Sequence, residues 1–178
     1  AGLALKAAAD KAGKPIYLEL SSVNPVVITP GALAERGEKM VDEFVGSALM
    51  GAGQFCTNPG IVMLVAGAQT DAFINAVQAR YASTAAGTLL SPAVARSLSK
   101  SVQTLTGLGA ELLTGGGEPE SDRCAVANTL MRVDGGAFLN DPEGFQTEAF
   151  GNASLMVVAD DVPQLCRAID CLEGNLTG

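Results

Sequence analysis

The stretch GQFCTNP at residues 53–59 connects a helical pattern to a strand pattern and places one cysteine between them. Before it, residues 32–50 repeat apolar side chains at the spacing of one helix face, and glycines end that helix. After it, residues 61–66 form a short apolar run rich in β-branched side chains, which is typical of a strand. The sequence therefore predicts a helix, a glycine-flanked loop that carries Cys56, and a buried strand.

Helical and strand patterns alternate along the remaining sequence. Further helices are predicted at residues 2–12 and after the capping pairs Thr70-Asp71, Ser91-Pro92 and Asp160-Asp161. Further strands are predicted at residues 16–20, 23–28, 111–114, 129–133 and 154–158. The glycines at 115–117 are predicted to form a turn, and residues 117–125 an exposed loop. This alternation predicts an α/β fold with three αβα layers around a largely parallel sheet.

The composition is that of a globular domain. The chain has 178 residues, of which 48% are hydrophobic and 17% are charged, and that is enough to form a core. No apolar run approaches the roughly 20 residues of a membrane helix. The net charge of −8 argues against nucleic acid and membrane surfaces as partners, because both are bound by clustered Lys and Arg.

The chain has four cysteines and no histidine. The cysteines are not spaced as pairs of metal ligands, so no metal site is predicted. Without an imidazole, Cys–His catalysis within these residues is excluded. Isolated cysteines are typical of a reducing compartment, which predicts a cytoplasmic location. The four are Cys56, Cys124, Cys166 and Cys171.

Cys56 and Glu19 are the candidate pair for covalent chemistry. A thiol attacks as the thiolate, and the loop can direct the backbone N–H of Cys56 toward a bound carbonyl oxygen. Glu19 lies in the predicted strand 16–20, where alternation places it on one face with Tyr17. Partial burial is expected there, and a partly desolvated carboxylate suits a general base. The alternatives are a buried apolar Cys56 and a Glu19 carboxylate in water or in an ion pair.

Glu148 and Phe150 lie on a loop before the predicted strand 154–158. A carboxylate accepts hydrogen bonds from the two hydroxyls of a ribose, and an aromatic ring packs against a flat ring or a ribose face. The alternative is a turn glutamate and a core phenylalanine. The two side chains are therefore candidates for nucleotide binding.

Three segments together resemble the aldehyde dehydrogenase superfamily. Residues 19–25, ELSSVNP, resemble its Glu-Leu-Gly-Gly-Lys-Asn-Pro segment. Residues 53–57, GQFCT, resemble its Gly-Gln-x-Cys-Thr loop, and residues 147–152, TEAFGN, resemble its Glu-Glu-x-Phe-Gly-Pro loop. Their order and spacing agree with that family, and the resemblance covers the whole chain.

The resemblance implies NAD- or NADP-dependent oxidation of a small-molecule aldehyde to a carboxylic acid. It implies that Cys56 is the nucleophile that forms a thioester, and that Glu19 is the general base that activates water. It also implies that Glu148 holds the nicotinamide ribose and that Phe150 packs beside it, with no metal ion. The full-length protein is expected to be a homo-oligomer.

The sequence departs from the family pattern at several places. Ser21-Ser22 replaces Gly-Gly, Val23 replaces Lys, and Thr147 and Asn152 replace Glu and Pro. The variant ELSSVNP resembles the branch of 2,5-dioxovalerate (α-ketoglutaric semialdehyde) dehydrogenases, which predicts that substrate. Long-chain fatty aldehyde dehydrogenases are the alternative branch. A non-catalytic domain of the same fold, and an acylating enzyme that passes the thioester to coenzyme A, are further alternatives.

The resemblance also predicts how the chain divides. Residues 1–20 are predicted to be the end of a nucleotide-binding domain, with a helix and the strand that carries the general base. Residues 21–178 are predicted to be a catalytic domain, truncated at its C-terminal end. A catalytic-domain fragment that is incomplete at both ends is expected to be inactive alone, because its cofactor site is at best half present.

Overall fold

The sheet is built around two strands, β2 (Ile61–Val65) and β5 (Ala153–Ala159), in which every residue is buried. The computed structural model describes residues 2–120 and 123–178. Within these residues the other strands are β1 (Val26–Ile28), β3 (Glu111–Glu120) and β4 (Ala125–Asp134). The strand order is β1-β2-β5-β4-β3. Strands β1, β2, β5 and β4 run parallel, and β3 pairs antiparallel with β4.

Helices connect the strands and cover both faces of the sheet. They are α1 (Gly2–Lys11), α2 (Pro30–Ala48), α3 (Ala68–Ser83), α4 (Pro92–Gly107), α5 (Gly135–Asn140), α6 (Pro142–Phe145) and α7 (Val162–Asp170). A 3₁₀ turn, Met50–Gly53, follows α2. In the ranges 2–120 and 123–178, no helix has the length and hydropathy needed to span a membrane.

Alternation along the strands divides the core into two clusters, one on each face of the sheet. In β2, Ile61, Met63 and Val65 pack with residues of α4 to α7. Val62 and Leu64 pack with residues of α2 and α3. Successive side chains of a strand point to opposite faces, so one apolar strand supplies both clusters. The predicted three-layer αβα fold with a largely parallel sheet is therefore confirmed.

The predicted strand at residues 16–20 is not formed. These residues have no strand pairing, and the Tyr17 side chain is 94% exposed. An apolar run becomes a strand when a neighbouring strand satisfies its backbone hydrogen bonds, and no described strand pairs with this run. The next strand is shorter than predicted: β1 starts at Val26, because Asn24 has φ +44 and Pro25 has no N–H to donate.

The glycine run at residues 115–117 lies inside a strand and not in a turn. β3 and β4 form a long antiparallel pair whose register shifts at several points, which indicates β-bulges. Glycine suits such points: Gly115 has φ +77, and a Cβ on it would contact the backbone of Asn128. The predicted exposed loop at 117–125 is therefore largely strand, and residues 121 and 122 of it lie outside the described residues.

Two of the three predicted helix starts are confirmed. Ser91 and Asp161 accept hydrogen bonds from backbone N–H groups of the helices that follow them. The prediction at Thr70-Asp71 is wrong, because α3 begins earlier, at Ala68, directly after Gly67. The sequence patterns also miss α5 and α6, which are too short to display a helical repeat.

Leu130→Ala, in the centre of β4, is expected to lower the free energy of unfolding by about 2–5 kcal/mol. Leu130 is 0% exposed and packs against the α2–α3 side, so the shorter side chain leaves a cavity. Leu112→Ala on β3 is the matched control: Leu112 is 44% exposed, and the expected loss is under about 1 kcal/mol. Urea unfolding followed by circular dichroism measures both variants, and equal losses would contradict the assigned core.

Candidate active site

Three loops that precede neighbouring strands meet at one edge of the sheet. Residues 19–25 precede β1, the cysteine loop (residues 53–59) precedes β2, and the glutamate loop (residues 147–152) precedes β5. Strands β1, β2 and β5 are adjacent and parallel, so their amino-terminal ends lie side by side. The sheet order therefore brings together the three segments that carry the candidate side chains.

The cysteine loop is a tight turn that follows a left-handed stretch of backbone. Residues 51–53 have φ values of +56, +56 and +68, which turn the chain away from α2. The Asn58 N–H then donates to the Phe55 carbonyl at 3.0 Å, which closes a turn with Cys56 at its second position. Cys56 is a free, exposed thiol.

Gly53 and Gly151 hold the cysteine loop and the glutamate loop in direct backbone contact. A Cβ on Gly53 would meet the carbonyl group of Gly151 and would lie 2.9 Å from the backbone N of Asn152. The Asn58 side chain adds a hydrogen bond to the Gly151 carbonyl at 3.4 Å. Glycine allows this approach at a positive φ, so the two loops are fixed relative to each other.

The side chain of Gln54 ties the cysteine loop to the segment before α4. Its Nε2 donates to the Thr88 carbonyl at 3.3 Å and to the Gly51 carbonyl at 3.0 Å. Its Oε1 accepts from the Leu90 N–H at 2.7 Å. A single amide therefore holds the loop against a third segment of the chain.

Asn24 is a site residue that the sequence patterns miss. It is 3% exposed, and its Nδ2 donates to the carbonyls of Cys56 and Asn58, each at 2.9 Å. The sequence feature that could have identified Asn24 is its position before a proline and between two apolar runs. Asparagine tolerates a positive φ, and a polar side chain that becomes buried there must find hydrogen-bond partners.

A cleft of about 410 Å³, its open mouth included, lies between the two loops. Phe55 and Asn58 line it from the cysteine loop, and Glu148 and Phe150 line it from the glutamate loop. Cys56 lies between Phe55 and Asn58 in the chain. The structure therefore brings Glu148 and Phe150 to one cleft, whereas Cys56 does not line it and lies on the loop that forms its other side.

The carboxyl group of Glu148 is partly withdrawn from solvent. Burial raises its pKa above the ordinary value of 4.5, and a hydrogen bond from the Ser22 backbone opposes this shift. The Ser101 hydroxyl donates to the Glu148 carbonyl at 2.9 Å, which fixes the loop on α4. Phe150 is 38% exposed, so its ring is accessible to a ligand. A half-buried carboxylate and an accessible ring fit the ribose and the flat ring of a nucleotide.

Glu19 is a second predicted site residue that does not line the cleft. The Glu19 side chain is exposed, so the prediction that it is partly buried is wrong within the described residues. The physical reason is that residues 16–20 do not join the sheet. No hydrogen bond within the described ranges fixes the Glu19 side chain.

The four cysteines are free thiols in different surroundings. Cys56 and Cys166 are exposed, whereas Cys124 and Cys171 are half-buried. In the described part of the chain, no three His, Cys, Asp or Glu side chains lie close enough together to bind a metal ion. Cys166, on α7, provides an exposed reference for the reactivity of Cys56.

The family model described as the aldehyde dehydrogenase family matches residues 1–173. The chain therefore belongs to the aldehyde dehydrogenase family, as the three sequence segments predict.

Two curated relatives are similar over most of the chain. It is 39% identical over 163 residues to alpha-ketoglutaric semialdehyde dehydrogenase 2 of Azospirillum brasilense. It is 32% identical over 164 residues to alpha-ketoglutaric semialdehyde dehydrogenase of Acinetobacter baylyi. Each alignment covers 92% of this chain and 31% of the relative. The chain thus spans about a third of the length of the curated relatives it matches.

Solved structures of aldehyde dehydrogenases share the fold. HpcC from Thermus thermophilus has a TM-score of 0.76 at 20% identity, over 94% of this chain and 34% of that protein. An aldehyde dehydrogenase from Bartonella henselae has a TM-score of 0.75 at 18% identity, over 96% and 37%. Succinic semialdehyde dehydrogenase from Streptococcus pyogenes, in complex with NADP+, has a TM-score of 0.73 at 20% identity, over 94% and 37%.

Gly53→Ala is expected to lower the free energy of unfolding by about 1–3 kcal/mol or more, because alanine is strained at this positive φ. Its Cβ would also push the glutamate loop away from the cysteine loop. Gly46→Ala in α2 is the matched control: a Cβ there meets nothing within 4 Å, and a gain of about 0.5–1 kcal/mol is expected. Thermal unfolding compares them, and equal stabilities would refute the close contact.

Glu148→Gln is expected to raise the melting temperature at pH 7 but not in acid. The raised pKa of Glu148 means that the folded protein binds the carboxyl proton more tightly than the unfolded chain does. This contribution is present at low pH and is lost as pH rises through the raised pKa. The difference between variant and wild type should therefore shrink as pH falls through the raised pKa, and it should be gone below 4.5. Glu38→Gln, at an exposed position of α2, is the control and should give no such trend.

Proposed function

We propose that the whole protein to which this chain belongs oxidises an aldehyde to a carboxylic acid with NAD or NADP, through a thioester on Cys56. The observation that carries this proposal is the backbone contact between the loop of Cys56 and the loop of Glu148 and Phe150, in a chain of the aldehyde dehydrogenase family. The three side chains supply the nucleophile, the ribose acceptor and the ring contact.

Cys56 begins the proposed reaction as the thiolate, which adds to the aldehyde carbon. The aldehyde oxygen becomes an alkoxide, and the backbone N–H of Cys56 donates a hydrogen bond to it. Glu148 and Phe150 would hold the nicotinamide half of the cofactor, which would supply the hydride acceptor for that carbon. Cys56 is left as a thioester, and Glu19 accepts a proton from the water that attacks it. The acid leaves and the Cys56 thiolate is restored.

Glu148 and Phe150 are the cofactor-binding residues of this proposal. The Glu148 carboxylate accepts hydrogen bonds from ribose hydroxyls, and the Phe150 ring packs beside the nicotinamide. Both contacts are with the nicotinamide half of the cofactor, which NAD and NADP share, so either cofactor fits. One structural neighbour, the succinic semialdehyde dehydrogenase, is in complex with NADP+.

The proposed substrate is 2,5-dioxovalerate, which is α-ketoglutaric semialdehyde. The support is similarity at 39% and 32% identity to two proteins named for the oxidation of that aldehyde. A long-chain fatty aldehyde is the second candidate. A non-catalytic domain of this fold is the other class of function, and the exposed position of Glu19 is the observation that favours it.

Residues 1–20 are proposed to belong to a nucleotide-binding domain and residues 21–178 to the catalytic domain. The helix α1 has no buried residue in this structure, which supports its packing against a further part of the protein. Glu19 lies at the proposed boundary, so contacts from the nucleotide-binding domain would hold the base. The whole protein is proposed to be a cytoplasmic homo-oligomer, and residues 1–178 alone are expected not to turn over.

Cys56→Ala in the whole protein is expected to lower kcat by at least about 10³-fold, because the thioester cannot form. Formation of reduced nicotinamide with 2,5-dioxovalerate and with a fatty aldehyde is the measurement, and the faster substrate identifies the branch. Cys166→Ala is the matched control, because Cys166 is also exposed but lies on α7, outside the cysteine loop. Turnover that survives Cys56→Ala would refute the thioester. No turnover of any aldehyde by the folded wild type would favour the non-catalytic domain.

A further inference from the structure

Every hydrogen-bonding atom of the Asn24 side chain has a partner. Its Nδ2 donates to the carbonyls of Cys56 and Asn58, each at 2.9 Å. Its Oδ1 accepts from the Ser22 hydroxyl at 2.7 Å and from the Thr177 N–H at 3.3 Å. The amide is 3% exposed and links the segment before β1, the cysteine loop and the last residues of the chain. A buried amide with all its bonds made has one available orientation.

These bonds act on both sides of Cys56. The peptide that follows Cys56 is held because its carbonyl accepts from Asn24. The peptide that precedes Cys56 is held because the Phe55 carbonyl accepts from the Asn58 N–H at 3.0 Å. Asn58 is in turn held by Asn24 through its own carbonyl. Asn24 therefore holds the peptide group after Cys56 directly and the peptide group before it through Asn58.

The orientation of the preceding peptide decides where the Cys56 N–H points. A peptide group is planar and trans, so its C=O and N–H point in opposite directions. Once the Phe55 carbonyl is held by Asn58, the Cys56 N–H is directed away from the closed side of the turn. An oxyanion donor is effective when it is fixed before charge develops.

We propose that Asn24 is a positioning residue that fixes the backbone N–H of Cys56 in the direction from which it binds the aldehyde oxygen. This inference rests on the proposed function, in which Cys56 is the nucleophile. Asn24 does not line the cleft, and it acts through the two loop carbonyls. The left-handed backbone at Asn24, φ +44, is what turns its amide toward the loop.

The opposite side of Asn24 is held by Asn175. The Asn175 Oδ1 accepts from the Val23 N–H at 2.8 Å and from the Asn24 N–H at 3.0 Å. The Leu176 N–H donates to the Ser22 hydroxyl at 3.0 Å. Ser22 stands where the family has glycine, so its hydroxyl adds a contact that glycine does not provide. A second layer of bonds thus supports the positioning residue itself.

Asn24→Asp tests the inference because it keeps the shape of the side chain and replaces the amide NH2 group with a carboxylate oxygen. Aspartate accepts the left-handed backbone, but it removes both donors and places a carboxylate against two carbonyl oxygens. The matched control is Asn128→Asp. Asn128 is 5% exposed, and its Nδ2 also donates to two backbone carbonyls, those of Tyr81 at 3.3 Å and Thr84 at 2.7 Å. Its donor bonds lie outside both loops, and its Oδ1, which aspartate retains, accepts from Asn152 of the glutamate loop at 2.7 Å.

In the whole protein, Asn24→Asp is expected to lower kcat by about 10²–10³-fold, as expected for loss of an oxyanion donor. The KM for the aldehyde should change less than about threefold, because the lost bond forms only as charge develops. Asn128→Asp should keep kcat within about threefold while costing comparable stability. Where Asn24→Asp does not fold, Asn24→Gly replaces it, since glycine suits φ +44 and adds no charge.

The rate of hydrogen exchange at the Asn58 N–H measures how firmly the turn is closed, and this measurement does not require catalysis. The Asn24 variants should speed this exchange by about tenfold or more, and Asn128→Asp should not. Fast exchange with unchanged kcat would overturn the inference and leave the proposed function standing. The same kcat loss in Asn24→Asp and Asn128→Asp would overturn it as a general effect on stability. Turnover that survives Cys56→Ala would instead remove the proposed function itself.

Discussion

The backbone contact between Gly53 and Gly151 is the constraint on which the candidate site depends. Gly53 lies three residues before Cys56, and Gly151 directly follows Phe150. The strands that follow these two loops, β2 and β5, are hydrogen-bonded neighbours, so the sheet holds the contact from below. A side chain at residue 53 would separate the two loops. Glycine at this position therefore sets the spacing between Cys56 and the proposed cofactor residues.

The site lies at the amino-terminal edge of the parallel strands, whereas ligands of open α/β sheets usually bind at the carboxyl-terminal edge. Loop length explains the difference. One residue separates β1 from α2, and two residues separate β2 from α3 and β5 from α7. At the amino-terminal edge, seven residues lie between Gly53 and Ile61 and seven between Phe145 and Ala153. Only the second edge has enough chain to build a cleft.

The parts of the fold that the sequence predicts are those with a local signal. The run at Ile61–Val65 is apolar at every position, the run at Ala153–Ala159 is apolar except at Ser154, and the two become the central strands. Residues 115–117 mislead, because the bulges that suit glycine there depend on the partner strand β4. Residues 16–20 mislead because they have the pattern of a strand, but no neighbouring strand within the described ranges pairs with them. In the site, the motifs identify Cys56 and its neighbours, but several bonds that hold the loop join it to residues more than thirty positions away in the chain.

The two halves of the proposed reaction are held by different contacts. Thioester formation depends on Cys56, whose flanking peptides are fixed by Asn24 and Asn58 within the sheet edge. The proposed hydrolysis depends on Glu19, which is exposed and lies only five residues before the buried Asn24. A movement confined to the exposed residues before Ser22 would displace Glu19 and leave the bonds from Asn24 to the cysteine loop in place. The proposed nucleophile is therefore held by bonds within the sheet edge, and the proposed base is not.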